Sequence, residues 1–178
     1  INQKVCVIGD NCIDIYPESG KTFVGGNGIN SAIALKRNGI DTGYVGVIGN
    51  DAEGELVIAA LEKENIDCSR VTKLNKKTAW TKIELYKGDR VFVDESLGVQ
   101  LKFDLFEGDY DYLSNFAFVH HTVFSNWPTA VSDGIESYYE KIENQVKRLH
   151  RNQVRVSVDF SEQFDEKLLA SLKNFVDL

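Results

Sequence analysis

Short apolar strands alternate with helices along this chain, and this alternation constrains the fold more than any other feature of the sequence. Lys4–Gly9, Gly43–Gly49 and Val154–Asp159 are runs rich in β-branched residues, which is typical of buried strands. Segments with helical periodicity separate them, including a long one from about Thr129 to Arg151. Strands joined through helices form right-handed crossovers. We therefore expect an α/β fold with a mostly parallel sheet flanked by helices.

The pattern changes between Trp80 and Val93. Two short runs, Trp80–Tyr86 and Arg90–Val93, are separated by Lys87-Gly88-Asp89. A glycine-containing turn between two such runs is typical of a β-hairpin. We expect this hairpin to lie outside the parallel sheet.

Composition argues against several classes of partner. The net charge is −7, and we find no basic patch that could hold a phosphate backbone, so we expect no nucleic-acid partner. No apolar run approaches the roughly 20 residues that span a bilayer, so we expect no membrane partner. Three cysteines without a CxxC pair indicate a reduced protein, and we expect a cytoplasmic one.

In open sheets of this kind, ligands bind beyond the carboxyl ends of the strands. Four segments follow predicted strands or face their ends: Gly9–Asp14, Gly25–Asn30, His120–Phe124 and Asp159–Ser161. The sequence therefore predicts a ligand site built from these four segments.

The strongest local signal is the glycine-rich turn Gly25–Asn30. Paired glycines allow a close backbone approach to a ligand, and the helix that follows offers N–H groups. No Gly-Lys-Ser/Thr follows, and the pattern is not GxGxxG, so it is not a typical nucleotide-phosphate loop. A carboxamide at Asn30 suits hydroxyl recognition because it both donates and accepts. A purely structural turn is the alternative.

Asp14 lies just beyond the first strand. Its carboxylate could accept two hydrogen bonds from neighbouring sugar hydroxyls, or it could be an ordinary aspartate at a strand end. Cys12 is flanked by Asp10 and Asp14, whose charges raise the pKa of a thiol, so we do not expect a nucleophilic cysteine.

These motifs together resemble the ribokinase-like (PfkB) sugar kinases. The resemblance rests on the run Gly25–Ala32, on Gly39, and on Gly49-Asn50-Asp51 followed by Gly54. Four further segments are similar to the branch of that family that phosphorylates fructosamines: Ile8–Pro17, Lys82–Leu85, Asp89–Phe92 and Val158–Ser161.

The resemblance implies a ribokinase-like α/β fold, of which residues 1–178 would be the N-terminal part of one domain. It also implies a small β lid, formed by segments of about 12–24 and 78–96, that closes over the sugar. The lid would supply the contact of a homodimer.

The same resemblance assigns roles to individual residues. The sugar side would be formed by Asp14, Gly25, Gly26, Asn27 and Asn30.

Three further residues receive less certain roles. Arg90 on the hairpin would contact the substrate or the arriving phosphate, with a solvated cation as the alternative. His120 and His121 point to opposite faces of a strand, so they form a poor metal pair, and His121 would either touch the ligand or pack in the core. Asp159 would lie on the phosphate side.

The implied reaction is transfer of a phosphoryl group from ATP, with Mg²⁺, to the 6-hydroxyl of fructoselysine or a related fructosamine. The family's catalytic base and metal motif do not occur in residues 1–178, so we expect the base beyond Leu178 and no metal ligand here. Two alternatives stay open. The chain could belong to a kinase of another carbohydrate or of a nucleoside, or it could be a non-catalytic sugar-binding module.

Overall fold

The structure, a computed structural model, describes residues 4–123, 134–160 and 166–177. The strands along these residues are β1 Lys4–Ile8, β2 Cys12–Tyr16, β3 Lys21–Gly25, β4 Asp41–Gly49, β5 Asp67–Leu74, β6 Trp80–Tyr86, β7 Asp89–Ser96, β8 Phe118–Thr122 and β9 Arg155–Asp159. The helices are α1 Asn27–Arg37, α2 Ala52–Lys63, a 3₁₀ helix Gly98–Lys102, α3 Glu107–Leu113, α4 Gly134–Arg151 and α5 Glu166–Leu172. None of these helices is long and apolar enough to cross a bilayer.

The main sheet has five strands in the order β5-β4-β1-β8-β9, and every neighbouring pair is parallel. This confirms the predicted parallel sheet. Because all five strands run the same way, their carboxyl ends meet at one edge. The carboxyl ends of β1, β8 and β9 therefore lie side by side at that edge.

Helices cover both faces of the main sheet. On one face, α1 and α2 enclose a core that includes Val7, Ile29, Tyr44, Ile48 and Leu61. On the other face, α3, α4 and α5 enclose a core that includes Ile8, Leu113, Val119, Leu149 and Val156. Each fully buried side chain of this size stabilises the fold by about 1.5–3 kcal/mol relative to its exposure.

A second sheet has four strands in the order β3-β2-β6-β7. It contains the predicted hairpin, in which β6 and β7 pair antiparallel across Lys87 (φ 53°) and Gly88 (φ 91°). Two consecutive residues with positive φ form the tight turn that the right-handed strand twist favours. Strand β2 pairs parallel with β6, so β2, β3, β6 and β7 form one continuous surface.

Two strand assignments differ from the sequence pattern. Strand β5 has no counterpart among the predicted strands, because it lies at the edge of the main sheet and none of its residues is buried. Strand β8 begins two residues later than predicted, at Phe118. Residues 129–133 of the predicted long helix lie outside the described residues.

The sequence predicts that Gly39 ends the helix after the glycine-rich turn and that Asp51 caps the next helix, and the structure confirms both boundaries. Gly39 follows α1 with a φ of 82°, the left-handed conformation in which glycine commonly ends a helix. Asp51 caps α2, accepting a hydrogen bond from the Gly54 amide at 3.0 Å. The same carboxylate accepts bonds from the Thr78 amide (2.9 Å) and the Thr78 hydroxyl (2.6 Å). Asp51 thus ties α2 to the segment that enters β6.

We expect Asp51→Ala to lower the free energy of unfolding by about 1–2 kcal/mol at pH 7, because it leaves two amides and a hydroxyl without their acceptor. Burial opposes ionisation of Asp51, but the hydrogen bonds from Thr78 and Gly54 outweigh it and lower its pKa. A carboxyl whose pKa is lower in the folded than in the unfolded state stabilises the fold at pH values above its unfolded-state pKa. That stabilisation is lost as the pH falls through the folded-state pKa. The difference in free energy of unfolding between the wild type and Asp51→Ala should therefore become smaller below about pH 4.

Urea unfolding at a series of pH values measures both effects. Glu62→Ala removes an exposed carboxylate from the last turn of α2 and should change stability by no more than about 0.5 kcal/mol. Two results would contradict the assigned role of Asp51. One is an equal decrease in the free energy of unfolding for both variants, and the other is a difference between the wild type and Asp51→Ala that does not change with pH.

Candidate functional site

Asp10 organises the carboxyl edge of the main sheet. Its carboxylate accepts hydrogen bonds from the amides of Asn27 (3.0 Å) and Gly28 (2.8 Å) at the start of α1. It also accepts one from the hydroxyl of Thr122 at the end of β8, at 3.1 Å. One side chain therefore joins β1, α1 and β8.

This arrangement corrects one expectation from the sequence. The glycine-rich turn was expected to offer the N–H groups of α1 to a ligand. Instead Asp10 takes the first two, the Ile29 amide donates to the Asp10 carbonyl at 3.2 Å, and the Asn30 amide donates to the Gly26 carbonyl at 3.0 Å. The prediction of a ligand on these amides is wrong, because the protein satisfies all four of them itself.

Asp14 lies on β2, half-buried, in a row of residues that face the same side of the second sheet. Phe23 and Thr81 are its register partners on the two neighbouring strands, and Glu95 follows Thr81 on β7. The Cys12 thiol donates to Asp14 Oδ1 at 3.3 Å. Burial raises the pKa of Asp14, an effect opposed by the Cys12 hydrogen bond and by the charge of Arg90.

Cys12 keeps its proton at neutral pH. Burial, followed by the charge of Asp14 and its hydrogen bond, raises the pKa of this thiol far above its usual range. A protonated thiol is a donor and not a nucleophile. This agrees with the expectation that Cys12 does not form a covalent intermediate.

Gly25 allows the Asp14 carboxylate to approach the backbone, and Gly26 allows the turn to approach Asn11. A Cβ atom at Gly25 would lie only 2.7 Å from Asp14 Oδ2, so a larger residue there would displace the carboxylate. Gly26 has a φ of 108°, which side-chain-bearing residues rarely adopt, and a Cβ there would lie 2.8 Å from the Cα of Asn11. The structure therefore brings Asp14, Gly25 and Gly26 together as predicted.

Asn27 and Asn30 are exposed on the first turn of α1. Residues three apart on a helix lie on the same side, so the two carboxamides are neighbours at the start of α1. They border the turn that contains Gly25 and Gly26.

A cavity of about 90 Å³ opens between the end of β1 and the second sheet. Its lining includes Asp10, Asn11, Cys12, Thr81, Glu95 and Gln100.

Two acceptors in that lining have no donor. Asn11 Nδ2 donates to the Tyr44 hydroxyl and the Val47 carbonyl, both at 3.1 Å, and Gln100 Nε2 donates to the Asn11 carbonyl at 2.9 Å. The carboxamide oxygens of Asn11 and Gln100 are buried, and neither finds a donor among the described residues. Such atoms are costly unless a ligand or water donates to them. The cavity lining also includes the carboxylates of Asp10 and Glu95, which are hydrogen-bond acceptors and suit a ligand with hydroxyl or amine donors.

Arg90 and Asp159 lie at the border of this region. Arg90 is exposed on β7, and its charge opposes the rise that burial causes in the pKa of Asp14. Asp159 ends β9 in register with Thr122, the residue that donates to Asp10. Both therefore remain candidates for the roles that the sequence suggested.

His121 does not reach the cavity. Its ring is fully buried, with Nε2 3.0 Å from Gln145 Oε1 and Nδ1 3.2 Å from the Thr122 carbonyl oxygen. His120 faces the other side of the sheet, where Nδ1 lies 2.8 Å from Ser157 Oγ, as expected for adjacent strand residues. The structure therefore supports the packing alternative for His121 and not the ligand contact. Phe124 and Ser161 lie outside the described residues.

Several residues of the site lie within the predicted segments or lid, or near them, but were not given individual roles from the sequence. They are Asp10, Asn11, Thr81, Glu95, Gln100 and Thr122. Asp10 and Asn11 could have been found, because they follow the first strand directly and Asp10 is a residue type that caps helices. Gln100 carries no local signal, since only the tertiary fold brings it to Asn11.

The described residues contain no group of three or more histidine, cysteine, aspartate or glutamate side chains that could hold a metal ion. A larger groove of about 440 Å³ runs beside α1, lined by Val5, Leu35, Phe118, His120 and Ser157. Its lining is mostly apolar and offers a polyol few hydrogen-bonding groups. The predicted sugar-side residues Asp14, Gly25, Gly26, Asn27 and Asn30 line neither this groove nor the smaller cavity.

The chain is similar to known kinases of small molecules. It is 33% identical over 175 residues to fructoselysine 6-kinase of Escherichia coli (strain K12). The aligned region covers 98% of this chain and 61% of that protein. It is 26% identical over 178 residues to a fructosamine kinase of Bacillus subtilis (strain 168), covering 98% of this chain and 57% of that protein. The chain thus spans about three fifths of the length of these relatives.

The fold is also found among solved structures. Ribokinase of Arabidopsis thaliana, complexed with ribose and ATP, superposes with a TM-score of 0.73 at 20% identity, over 96% of this chain and 58% of that one. This likeness confirms the ribokinase-like fold.

The match to a family description is the most general of these findings. Residues 2–178 match the pfkB family of carbohydrate kinases. This match covers almost the whole chain and includes the glycine-rich turn and both sheets. The chain therefore belongs to the pfkB carbohydrate kinase family.

Proposed function

We propose that this chain forms the sugar-binding part of an ATP-dependent kinase that phosphorylates the 6-hydroxyl of fructoselysine or a related fructosamine. The observation that carries the proposal is the Asp14 carboxylate held against Gly25, beside a cavity with unpaired acceptors. Similarity to a fructoselysine 6-kinase over 98% of the chain supports the choice of substrate.

The residues of this chain would act mainly by positioning the sugar. Asp14 accepts hydrogen bonds from two neighbouring hydroxyls, and the carboxamides of Asn27 and Asn30 donate and accept at the same side of the ring. Gly25 and Gly26 let the ring approach the backbone. Positioning of this kind supplies much of the rate enhancement in phosphoryl transfer.

The second sheet would serve as the lid. Closure over the sugar excludes water, which limits the hydrolysis of ATP without transfer. Arg90 on this sheet would contact the substrate or the arriving phosphate.

ATP would supply the phosphoryl group together with Mg²⁺. Asp159, at the carboxyl edge of the main sheet, is the candidate for the phosphate side. We assign neither a metal ligand nor a proton acceptor to the described residues, since no cluster of ligating side chains forms among them.

We also propose a homodimer formed through the lid. Strand β7 is an edge strand with exposed Val91, Phe92 and Val93, and Phe92 is 56% exposed. Leu85 on β6 and Phe23 on β3 are further exposed apolar residues of this sheet. Exposed apolar side chains on an edge strand are typical of a protein–protein contact.

We place the protein in the cytoplasm. Cys6, Cys12 and Cys68 are free thiols, and unpaired cysteines are usual where the cell keeps thiols reduced.

Kinase activity is tested with the complete natural polypeptide, ATP and Mg²⁺. ADP release is measured with fructoselysine, fructose, ribose and adenosine side by side. We expect turnover with fructoselysine. Turnover with another acceptor alone would retain the kinase and reject the substrate, because Asp14 and the glycines could serve any polyol. No turnover with any acceptor would favour a non-catalytic sugar-binding module.

We expect Asp14→Ala to raise the KM for the sugar about 10- to 100-fold, because the sugar loses hydrogen bonds to a charged acceptor. The KM for ATP should change less than about twofold, since ATP does not contact this side chain in our proposal. Asp94→Ala is the matched control, as it removes a lid carboxylate that pairs with Lys82 on the opposite face. Equal losses for sugar and ATP would contradict the role of Asp14.

We expect Phe92→Glu to convert the dimer into a monomer, because a charge buried in an apolar contact is costly. Light scattering of the complete polypeptide over a range of concentrations measures the mass. Leu56→Glu changes a similarly exposed apolar residue on α2, outside the lid, and should leave the dimer intact. A wild type that stays monomeric, or a Phe92→Glu variant that stays dimeric, would contradict the lid contact.

A further inference from the structure

Glu95 is the second carboxylate of the residue row that contains Asp14. Asp14 pairs in register with Thr81 on β6, and Thr81 pairs in register with Glu95 on β7. Residues paired in register face the same side of a sheet. The neighbouring Asp94 faces the opposite side, where the Lys82 ammonium lies 3.1 Å from its carboxylate. Thr81 thus stands between two carboxylates on the face that borders the cavity.

The cavity that Glu95 lines is rich in acceptors and in negative charge. Its lining includes two carboxylates, Asp10 and Glu95, and no lysine or arginine among the described residues. Asp10 already accepts three hydrogen bonds from the protein. The carboxamide oxygens of Asn11 and Gln100 are buried behind this lining and have no donor among the described residues. Such a lining attracts a cation and disfavours an anion.

The spacing of the two carboxylates fits one ligand that reaches both. Asp14 and Glu95 are two strand spacings apart, about 9–10 Å between their backbones. A sugar whose hydroxyls bind Asp14 would extend the substituent on its anomeric side along the row. In a fructosamine that substituent begins with an amine, which carries a proton and a positive charge at neutral pH.

We propose that Glu95 determines specificity by binding the protonated amine of a fructosamine. This inference rests on the proposed function and names the residue that separates an amine-bearing substrate from the free ketose. Fructose has the same hydroxyls for Asp14 but no cation for Glu95. The Glu95 carboxylate therefore contributes to the binding of a fructosamine and not to the binding of fructose.

The test is a comparison of two ligands and three proteins. Calorimetry gives the Kd of fructoselysine and of fructose for the complete polypeptide, for Glu95→Gln and for Glu84→Gln. Glu95→Gln keeps the size of the side chain and removes its charge at an exposed position, so the fold should not change. Glu84→Gln makes the same change at another exposed position on the same hairpin.

We expect the wild type to bind fructoselysine at least tenfold more tightly than fructose. Glu95→Gln should weaken fructoselysine binding about tenfold and leave fructose binding within about twofold, whereas Glu84→Gln should change neither. Loss of a charge-assisted hydrogen bond accounts for this change. If Glu95 only supported the fold, Glu95→Gln would instead weaken the binding of fructoselysine and of fructose by similar factors.

Two results would overturn the inference: a wild type that does not prefer fructoselysine, or a Glu95→Gln variant that keeps the preference. Neither result depends on catalysis. A protein that binds fructoselysine through Glu95 but releases no ADP would contradict the proposed kinase activity and leave the amine site in place. If Glu95→Gln phosphorylated fructoselysine as well as the wild type, the result would contradict the amine site and leave the proposed kinase activity in place.

Discussion

The Asp10 carboxylate accepts hydrogen bonds from two amides at the start of α1 and from the hydroxyl that ends β8, and the rest of the site depends on these contacts. They fix the glycine-rich turn against the end of β1. Each hydrogen bond to a carboxylate contributes about 1.5–3 kcal/mol. Without Asp10, the first two amides of α1 would need water or a ligand as their acceptor.

The two sheets have different roles in the proposed site. The main parallel sheet is buried on both faces by helices, which makes its carboxyl edge a rigid support. The second sheet places Asp14, Thr81 and Glu95 in one row above that edge. Gly25 ends β3 and leads into α1, so it joins the two parts at the point where the sugar would bind. The proposed recognition surface is therefore formed by the strands of the second sheet together with the turn that begins α1.

Local patterns were sufficient to predict much of the fold. The alternation of strands and helices, the hairpin after Trp80, the end of α1 at Gly39 and the cap at Asp51 each depend on neighbours in the sequence. Strand β5 was missed because most of its residues are polar and none is buried, so neither alternation nor an apolar run marks it. Strand order and the pairing of β2 with β6 depend on distant contacts that no local pattern encodes.

The site was predictable to a smaller extent. Asp14, Gly25 and Gly26 were identified from the glycine-rich turn and the strand end, and the structure brings them together. The amides of α1 were misassigned because Asp10 lies 17 residues before Asn27 and only the fold makes it their acceptor. His121 was a candidate by its position at a strand end, but its side chain faces α4, where Gln145 binds it. Gln100 reaches Asn11 across 89 residues and could not have been inferred.

A crystal structure of the complete polypeptide with fructoselysine tests the central claim most directly. The account predicts two sugar hydroxyls within about 3.2 Å of the Asp14 carboxylate, with the ring beside Gly25 and the amine directed toward Glu95. A sugar bound elsewhere, for example in the apolar groove beside Phe118, or one that leaves Asp14 without a contact, would contradict it.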